Sequence, residues 1–267
     1  MILVRQFRGL MANRQVLRTL VKRDLRVRYA RSMLGYVWTI LDPLAMSLIY
    51  LVVFTLIFTS KRAGNQPFFM SLIIGMLAWQ WFNQSLTETS RALLSEARLV
   101  RSTSLPRELW VVRVVLAKGI EYIYSLPVII FFAAFYIIRG ELRLNWTLVY
   151  FPVAVLLIFL LATGIGLILA PVTVLVTDMT RVVRIVIRMT FYATPILYSA
   201  QAAPEALRRI LVFNPLSGIM ELLRTGFFDT QHVSRAAVLV SVVASVGAVI
   251  IGSALFTRLE PAVLKEI

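Results

Sequence analysis

Between Val21 and Phe58 the chain passes without a spacer from a basic segment, VKRDLRVRYAR, into a long apolar one, and this junction limits what the chain can fold into. Lys22, Arg23, Arg26, Arg28 and Arg31 stand beside a single acid, Asp24, whereas Leu44 to Phe58 carries no charge. An uncharged stretch of that kind calls for lipid, and Lys and Arg flanking a first span are retained on the cytoplasmic side during insertion. The N-terminus is therefore expected inside.

Across 267 residues, 59% hydrophobic and 15% charged, there is more apolar side chain than one soluble core can hide. The net charge of +15 lies in blocks between apolar stretches, so membrane topology and anionic headgroups account for it better than nucleic acid does. With no cysteine and His232 as the one histidine, disulfide, thiolate and transition-metal chemistry drop out. The apolar run at the N-terminus is short and broken by Arg5 and Arg8, so no cleaved targeting segment is expected.

Taken in order, residues 10–34 place Leu10, Leu17, Leu20, Val21 and Val27 on one side of a helix and Arg18, Lys22, Arg23 and Arg26 opposite, with Arg14, Arg28 and Asp24 intruding. This pattern predicts a helix lying in the cytoplasmic interface, and a plain basic juxtamembrane tail is the alternative. Asp42 and Pro43 read as a cap or kink that opens the fully apolar part of span one. Further spans are expected over residues 68–86, 110–138, 146–176, 180–198 and 236–256, each near the length of about 20 residues that hydrocarbon requires. The fold class is thus an all-α polytopic membrane protein with six spans and both termini cytoplasmic. It forms one domain, with residues 1–34 as the interface helix, 35–257 as the six-span region and 258–267 as a cytoplasmic tail. Of the 28 Lys and Arg residues, this topology leaves only Lys61, Arg62, Arg139, Arg143, Arg208, Arg209, Arg224 and Arg235 outside.

Three segments carry candidate function. The inside loop SRALLSEARLVRSTSLPRELW predicts a short helix over residues 91–100, a break at residues 102–104 and a restart at Pro106, with Glu108 favoured near the positive helix end. Such a mixed-charge helix presents Arg91, Glu96, Arg98 and Arg101 either to a cytoplasmic partner or merely to solvent. In span five, Arg181, Arg184 and Arg188 share one helix face. Arg181 and Arg184 can snorkel to the surface, whereas Arg188 lies about two turns deeper at ~1.5 Å per residue and needs a polar cavity or an anion such as pyrophosphate. Between spans five and six, helix starts at Pro204 and at Asn214-Pro215 predict two short external helices, forming either a re-entrant gate or an inert cap.

Aromatic residues recur at Tyr50, Phe54 and Phe58, at Trp79, Trp81 and Phe82, and at Tyr122 and Tyr124. Most suit lipid contact, and a minority suit a path for sugar rings. Gly164 and Gly166 read as close helix packing, and Lys118 with Glu121 as a mutually neutralising pair. None of the 12 glycines is followed by Lys, so the chain has no phosphate-binding P-loop.

Together, RDLRVRYARSMLGYVWTILDPL, the loop containing SLPREL, and PILYS followed by FNPLSGIMELLR resemble the permease subunit of type 2 ABC exporters. The resemblance is closest to the branch that exports lipid-linked polysaccharides such as O-antigen, capsule, teichoic acid or galactan. It implies a second copy of the chain and two cytoplasmic P-loop ATPase subunits, with ATP and Mg on the partner and no cofactor on this chain. By position, it implies an ATPase-coupling surface of Arg91, Glu96, Arg98, Arg101, Pro106 and Arg107, and an external gate containing Pro204, Asn214 and Pro215. The substrate path combines Arg181, Arg184 and Arg188 with Tyr50, Phe54, Phe58, Trp79 and Tyr122. Where that branch often has an Arg-Asp pair before span five, this chain has Thr177-Asp178.

The expected activity is therefore outward transport of a polyprenyl-diphosphate-linked glycan across a bacterial cytoplasmic membrane by a chain that is not itself an enzyme. A permease for a small lipid or drug shares the architecture. A membrane-embedded glycosyl or phosphoryl transferase would need clustered carboxylates to hold Mg²⁺, which the sequence lacks. A structural anchor is the remaining alternative.

Overall fold

In lipid a chain must pair its backbone groups internally, and apolar runs without a closed barrel do so as helices. A computed structural model describes residues 2–30, 32–53, 67–198, 200, 203–228 and 233–267, and among these there is no strand. The helices are α1 (Ile2–Ala12), α2 (Arg14–Tyr29), α3 (Trp38–Val52), α4 (Phe68–Thr89), α5 (Ala92–Ser95), α6 (Ala97–Ser102), α7 (Glu108–Ile138), α8 (Tyr150–Leu175), α9 (Met179–Ala193), α10 (Glu205–Leu211), α11 (Pro215–Arg224) and α12 (Arg235–Glu266). Phe54, Phe58 and the turn expected around Lys61 and Arg62 lie outside the described residues.

Four described stretches are long and apolar enough to cross a membrane: Gly35–Val52, Glu108–Ile138, Trp146–Leu175 and Arg235–Glu266. The helices expected as spans two and five are not in that set. α4 has 22 residues but carries Gln80, Asn83, Gln84, Thr87 and Glu88 in its second half. α9 has 15 residues and holds Arg181, Arg184 and Arg188.

The core forms around α4, whose Met70, Ile74, Trp81 and Phe82 meet Val115 and Ile129 of α7, Ile158 and Leu161 of α8, and Leu216 and Ile219 of α11. Behind it, α8 and α12 lie backbone to backbone. A Cβ at Gly164 would lie 2.4 Å from the Ala248 carbonyl carbon, and one at Gly252 2.3 Å from the Gly164 oxygen. Gly166 is similarly close to Thr89 and Val111, at 3.0 Å each, so the expected tight packing is present. Gly164→Leu is expected to drive α8 from α12 at an overpacking cost of about 1–3 kcal/mol or more. Gly247→Leu enters open space and is the control, with folded yield after detergent extraction as the measurement.

Several boundaries differ from expectation. α3 opens at Trp38 and runs through the buried Pro43, so Asp42-Pro43 does not begin the span. A turn is already formed before Pro43, and the ring therefore removes one amide bond without stopping the helix. Residues 258–266, expected as a cytoplasmic tail, continue α12 as helix, and Phe256 and Val263 bury beside Trp110, Val111 and Val174.

The interface helix is broken into α1 and α2 at Asn13, whose Nδ2 donates to the Gly9 carbonyl at 2.9 Å. Its apolar side is not given to lipid: Leu17, Val21 and Leu25 pack on Leu116, Ala117 and Ile120 of α7. Arg14, Arg18, Lys22 and Arg26 point outward, as does Val27.

Candidate functional site

The polar residues of α4 recur at spacings of three and four, which places Gln80, Asn83, Gln84, Thr87 and Glu88 on one face. That face opens on a cavity of about 640 Å³ between α3, α4 and α9. Trp79 and Met76 extend the α4 wall, α3 contributes Asp42, Pro43, Met46 and Tyr50, and α9 contributes Arg184, Ile187, Arg188, Phe191 and Tyr192. Phe191 joins the aromatic lining, with ring centroids 6.2 Å from Tyr50 and 5.4 Å from Trp79. Arg184 Nε donates to the Thr180 carbonyl at 3.3 Å, whereas Arg188 has no hydrogen-bond or ion-pair partner among the described residues. Aromatic faces, amides, carboxylates and guanidinium groups around one space can hold sugar rings, hydroxyls and an anion together.

The path residues expected from sequence thus divide. Tyr50, Trp79, Arg184 and Arg188 line the cavity. Arg181 stands outside it, exposed on the surface 4.0 Å from Asp178. Tyr122 is also outside: it stacks on Trp81 at 5.1 Å and faces a separate chamber of about 20 Å³ beside Lys118 and Glu121. The two tryptophans are two residues apart, about 200° around a helix, so Trp81 turns away from the cavity toward α7 and meets Tyr122 there.

In the inside loop, α5 and α6 turn Leu93 and Val100 into a cluster with Trp110, Phe256 and Val263. Arg91, Leu94, Arg98, Leu99 and Arg101 face outward. Glu96, expected on that outward surface, sits at the break between the two helices and points inward. Its Oε1 accepts from Arg23 Nη2 and, at 3.2 Å, from Arg113 Nη1, whose buried guanidinium requires a counter-charge. Pro106 faces Gly9 and Arg107 faces Glu260 at 3.7 Å, so both are turned toward the chain itself.

The ion pairing extends further. Arg113 Nε lies 3.0 Å from Asp24 Oδ2, and Arg28 pairs with Glu88 at 2.6 Å and Glu121 at 3.2 Å. Lys118 meets Glu88 and Glu121 at 3.0 Å each and donates to Gln84 Oε1 at 2.7 Å. Lys118 and Glu121 therefore do pair, as members of a larger network. Asp24 and Arg28, which intrude on the amphipathic pattern of α2, are the residues that fasten it.

At the other end of the bundle the two short helices behave differently. Leu216 to Arg224 of α11 are all buried, whereas α10 exposes Pro204 and every residue from Glu205 to Ile210. Asn214 caps α11 by accepting from the Leu216 amide at 2.9 Å, and its Nδ2 donates to Ala193 O and Thr194 Oγ1. The Pro215 carbonyl accepts from Ser241 Oγ at 2.5 Å. Arg224 closes the far end of α11, donating to the carbonyls of Pro195 at 2.8 Å, Ile196 at 2.7 Å and Ser71 at 3.2 Å. Glu221 Oε2 accepts from the Ser234 amide at 2.8 Å.

The family model for the ABC-2 type transporter matches residues 15–228. The chain belongs to the ABC-2 type transporter family. It is similar to the O-antigen export system permease protein of Klebsiella pneumoniae, with 29% identity over 245 residues and 90% of each chain covered. The corresponding protein of Myxococcus xanthus is 30% identical over 229 residues, 85% of each chain. The polysialic acid transport protein of Escherichia coli is 25% identical over 222 residues, 81% of this chain and 82% of its own.

The matched residues of this ABC-2 chain run from α2 to just beyond α11 and so include the cavity, the inside loop and the buried external helix. Two features of the site escape the sequence reading. The amide row of α4 leaves a signal, polar residues at helical spacing inside an otherwise apolar segment. Arg224 leaves a weaker one: it reads as one more external charge, and only its place at the end of the apolar face formed by Ile219, Leu222 and Leu223 sets it apart.

Proposed function

We propose that this chain is the membrane-spanning subunit of an ATP-driven exporter that carries a polyprenyl-diphosphate-linked polysaccharide outward across a bacterial cytoplasmic membrane. Two copies form the conduit, and two separate P-loop ATPase subunits carrying ATP and Mg dock on the inside loop. The relatives named for O-antigen and polysialic acid transport support the substrate class.

The observation that carries the reading is the composition of the cavity wall. α4 and α9 are the two expected spans too polar or too short to stand out as apolar, and their polar faces meet at one cavity lined with aromatic residues. Intramembrane polarity is costly and is retained where it faces water or a substrate path. Counting both as spans restores six, with N- and C-termini cytoplasmic. Arg188, deep on α9 and unpaired among the described residues, receives the diphosphate, and Tyr50, Trp79 and Phe191 pass the sugar rings. Asn214 and Pro215 belong to the embedded part of an external gate, and Pro204 to its exposed part.

Arg91, Arg98 and Arg101, with Leu94 and Leu99 between them, offer the ATPase a surface of basic and apolar side chains. Arg98→Glu with Arg101→Glu is expected to reduce co-purification of the ATPase at least tenfold, a loss of about 1.4 kcal/mol or more. Export of glycan into inverted vesicles falls with it. Unchanged assembly and export reject docking at this loop, and failure of the unaltered complex to move glycan rejects the transport reading.

A further inference from the structure

Gln84 and Glu88 belong to two places at once. Both line the cavity, and both hold Lys118, Gln84 through its Oε1 at 2.7 Å and Glu88 through its Oε1 at 3.0 Å. The other oxygen of Glu88 holds Arg28 at 2.6 Å, near the C-terminal end of α2. About one turn earlier on the same helix, Arg23 engages Glu96, and Asp24 engages Arg113. α2 is therefore clamped at one position to the cavity wall and at the other to the break between α5 and α6.

The pairs form two neutral clusters, Arg28 and Lys118 with Glu88 and Glu121 at the cavity wall and Arg23 and Arg113 with Asp24 and Glu96 at the loop, joined through α2, and Arg113, Lys118 and Glu121 are buried. Displacing one member strands a charge in a desolvated setting, which costs several kcal/mol unless its neighbours rearrange with it. Such a cluster has few intermediate arrangements. Its members shift together or stay.

We propose that these two clusters relay occupancy of the cavity to the docking loop, with α2, which joins them, as the moving part. A hydroxyl-rich ligand donates hydrogen bonds to Glu88 and Gln84 and so competes with Arg28 and Lys118 for the same oxygens. Release of Arg28 from Glu88 leaves it on Glu121, at 3.2 Å, and lets that end of α2 shift. Arg23 and Asp24 carry the displacement to Glu96, which adjoins the exposed Arg98 and Arg101. By linkage, engagement of the loop from inside alters the affinity of the cavity by the same factor. The relay rests on the reading of this chain as an ATP-driven glycan permease.

The test uses the full complex with its ATPase in proteoliposomes, and the probe is a lipid extract from the producing cells, which contains their own lipid-linked glycan. ATP hydrolysis is measured with and without extract. Arg28 and Arg23 line neither the cavity nor the outward docking face, so Arg28→Gln and Arg23→Gln are expected to keep assembly and basal hydrolysis but lose stimulation by extract. Arg28→Lys, which keeps the charge, restores it.

A second readout uses the absence of cysteine from the chain. Leu17→Cys, beneath α2 against α7, is expected to react faster with a thiol reagent when extract is present, and Arg28→Gln abolishes that difference. If both glutamine variants remain stimulated, or if both lose assembly in proportion to stimulation, the network is only a clamp and the relay is rejected. An unaltered complex that extract does not stimulate rejects the permease reading and the relay with it.

Discussion

A chain carrying Arg224→Met is expected to lose most of its folded protein from the membrane. Arg224 is 2% exposed, and its guanidinium bridges three carbonyls from two separate parts of the chain, Ser71 in the first turn of α4 and Pro195 with Ile196 after α9. Ser71 O keeps its helical amide, but the Pro195 and Ile196 carbonyls left bare in a buried site cost about 1–3 kcal/mol each, a large share of the stability of an ordinary domain, about 5–15 kcal/mol. Lysine brings the charge but not the planar fork and is expected to recover only part of the yield. Gly75→Ala provides an independent check, because a Cβ there would lie 2.5 Å from Arg224 Nη2 and would push the fork off its carbonyls without changing any charge. Folded yield and the midpoint of thermal aggregation in detergent should fall for Arg224→Met and Gly75→Ala, with Arg224→Lys between them and the unaltered chain. Normal yield from Arg224→Met would show that the turn after α9 is held by other contacts.

Arg188→Leu should behave in the opposite way, folding and assembling normally while export falls. The side chain faces the cavity and has no ion-pair partner among the described residues, so its removal strands no buried acid. What is lost is a charge-assisted bond to an anionic ligand, about 1.5–3 kcal/mol, or roughly ten- to a hundredfold in the glycan concentration needed for half-maximal transport. Arg181→Leu is the matched control, since that side chain is on the surface 4.0 Å from Asp178, where ion pairs contribute little. Transport measured over a range of glycan concentrations separates the two. Equal curves for Arg188→Leu and the unaltered chain would remove the anion-binding role.

Much of the fold was legible because it rests on local pattern. The apolar runs over α7 and α8 locate those helices to within a few residues, the run over α12 locates its start, and Pro106 and Asn214-Pro215 mark helix starts through backbone chemistry that neighbours do not alter. The inside loop was legible for the same reason, since Arg91, Arg98 and Arg101 emerge on its exposed side. Less legible were the directions in which buried polar side chains point. Glu96 reads as one more surface acid, and only the approach of α2 and α7 brings Arg23 and Arg113 within reach of it. Tyr122 reads like Tyr50 and Trp79, yet it stacks on Trp81 in the interface between α4 and α7 while they face α9. The two short external helices have similar starts, but α11 is enclosed because Gly218 lets it approach α12, with a Cβ there only 2.4 Å from the Ala237 oxygen. Among the described residues no such glycine contact encloses α10.

The amino-acid sequence by itself determined that this is a helical membrane chain and that no glycine in it is followed by the Lys of a P-loop. These properties follow from hydropathy, charge and backbone chemistry, which act residue by residue. Only the tertiary structure decided that α2 packs on protein rather than lipid, that four acids and four bases close into two neutral clusters at successive turns of α2, and that α4 and α9 share a cavity. Each of those depends on helices far apart in the chain meeting at a particular rotation, and a turn of about 100° per residue makes that rotation a product of packing.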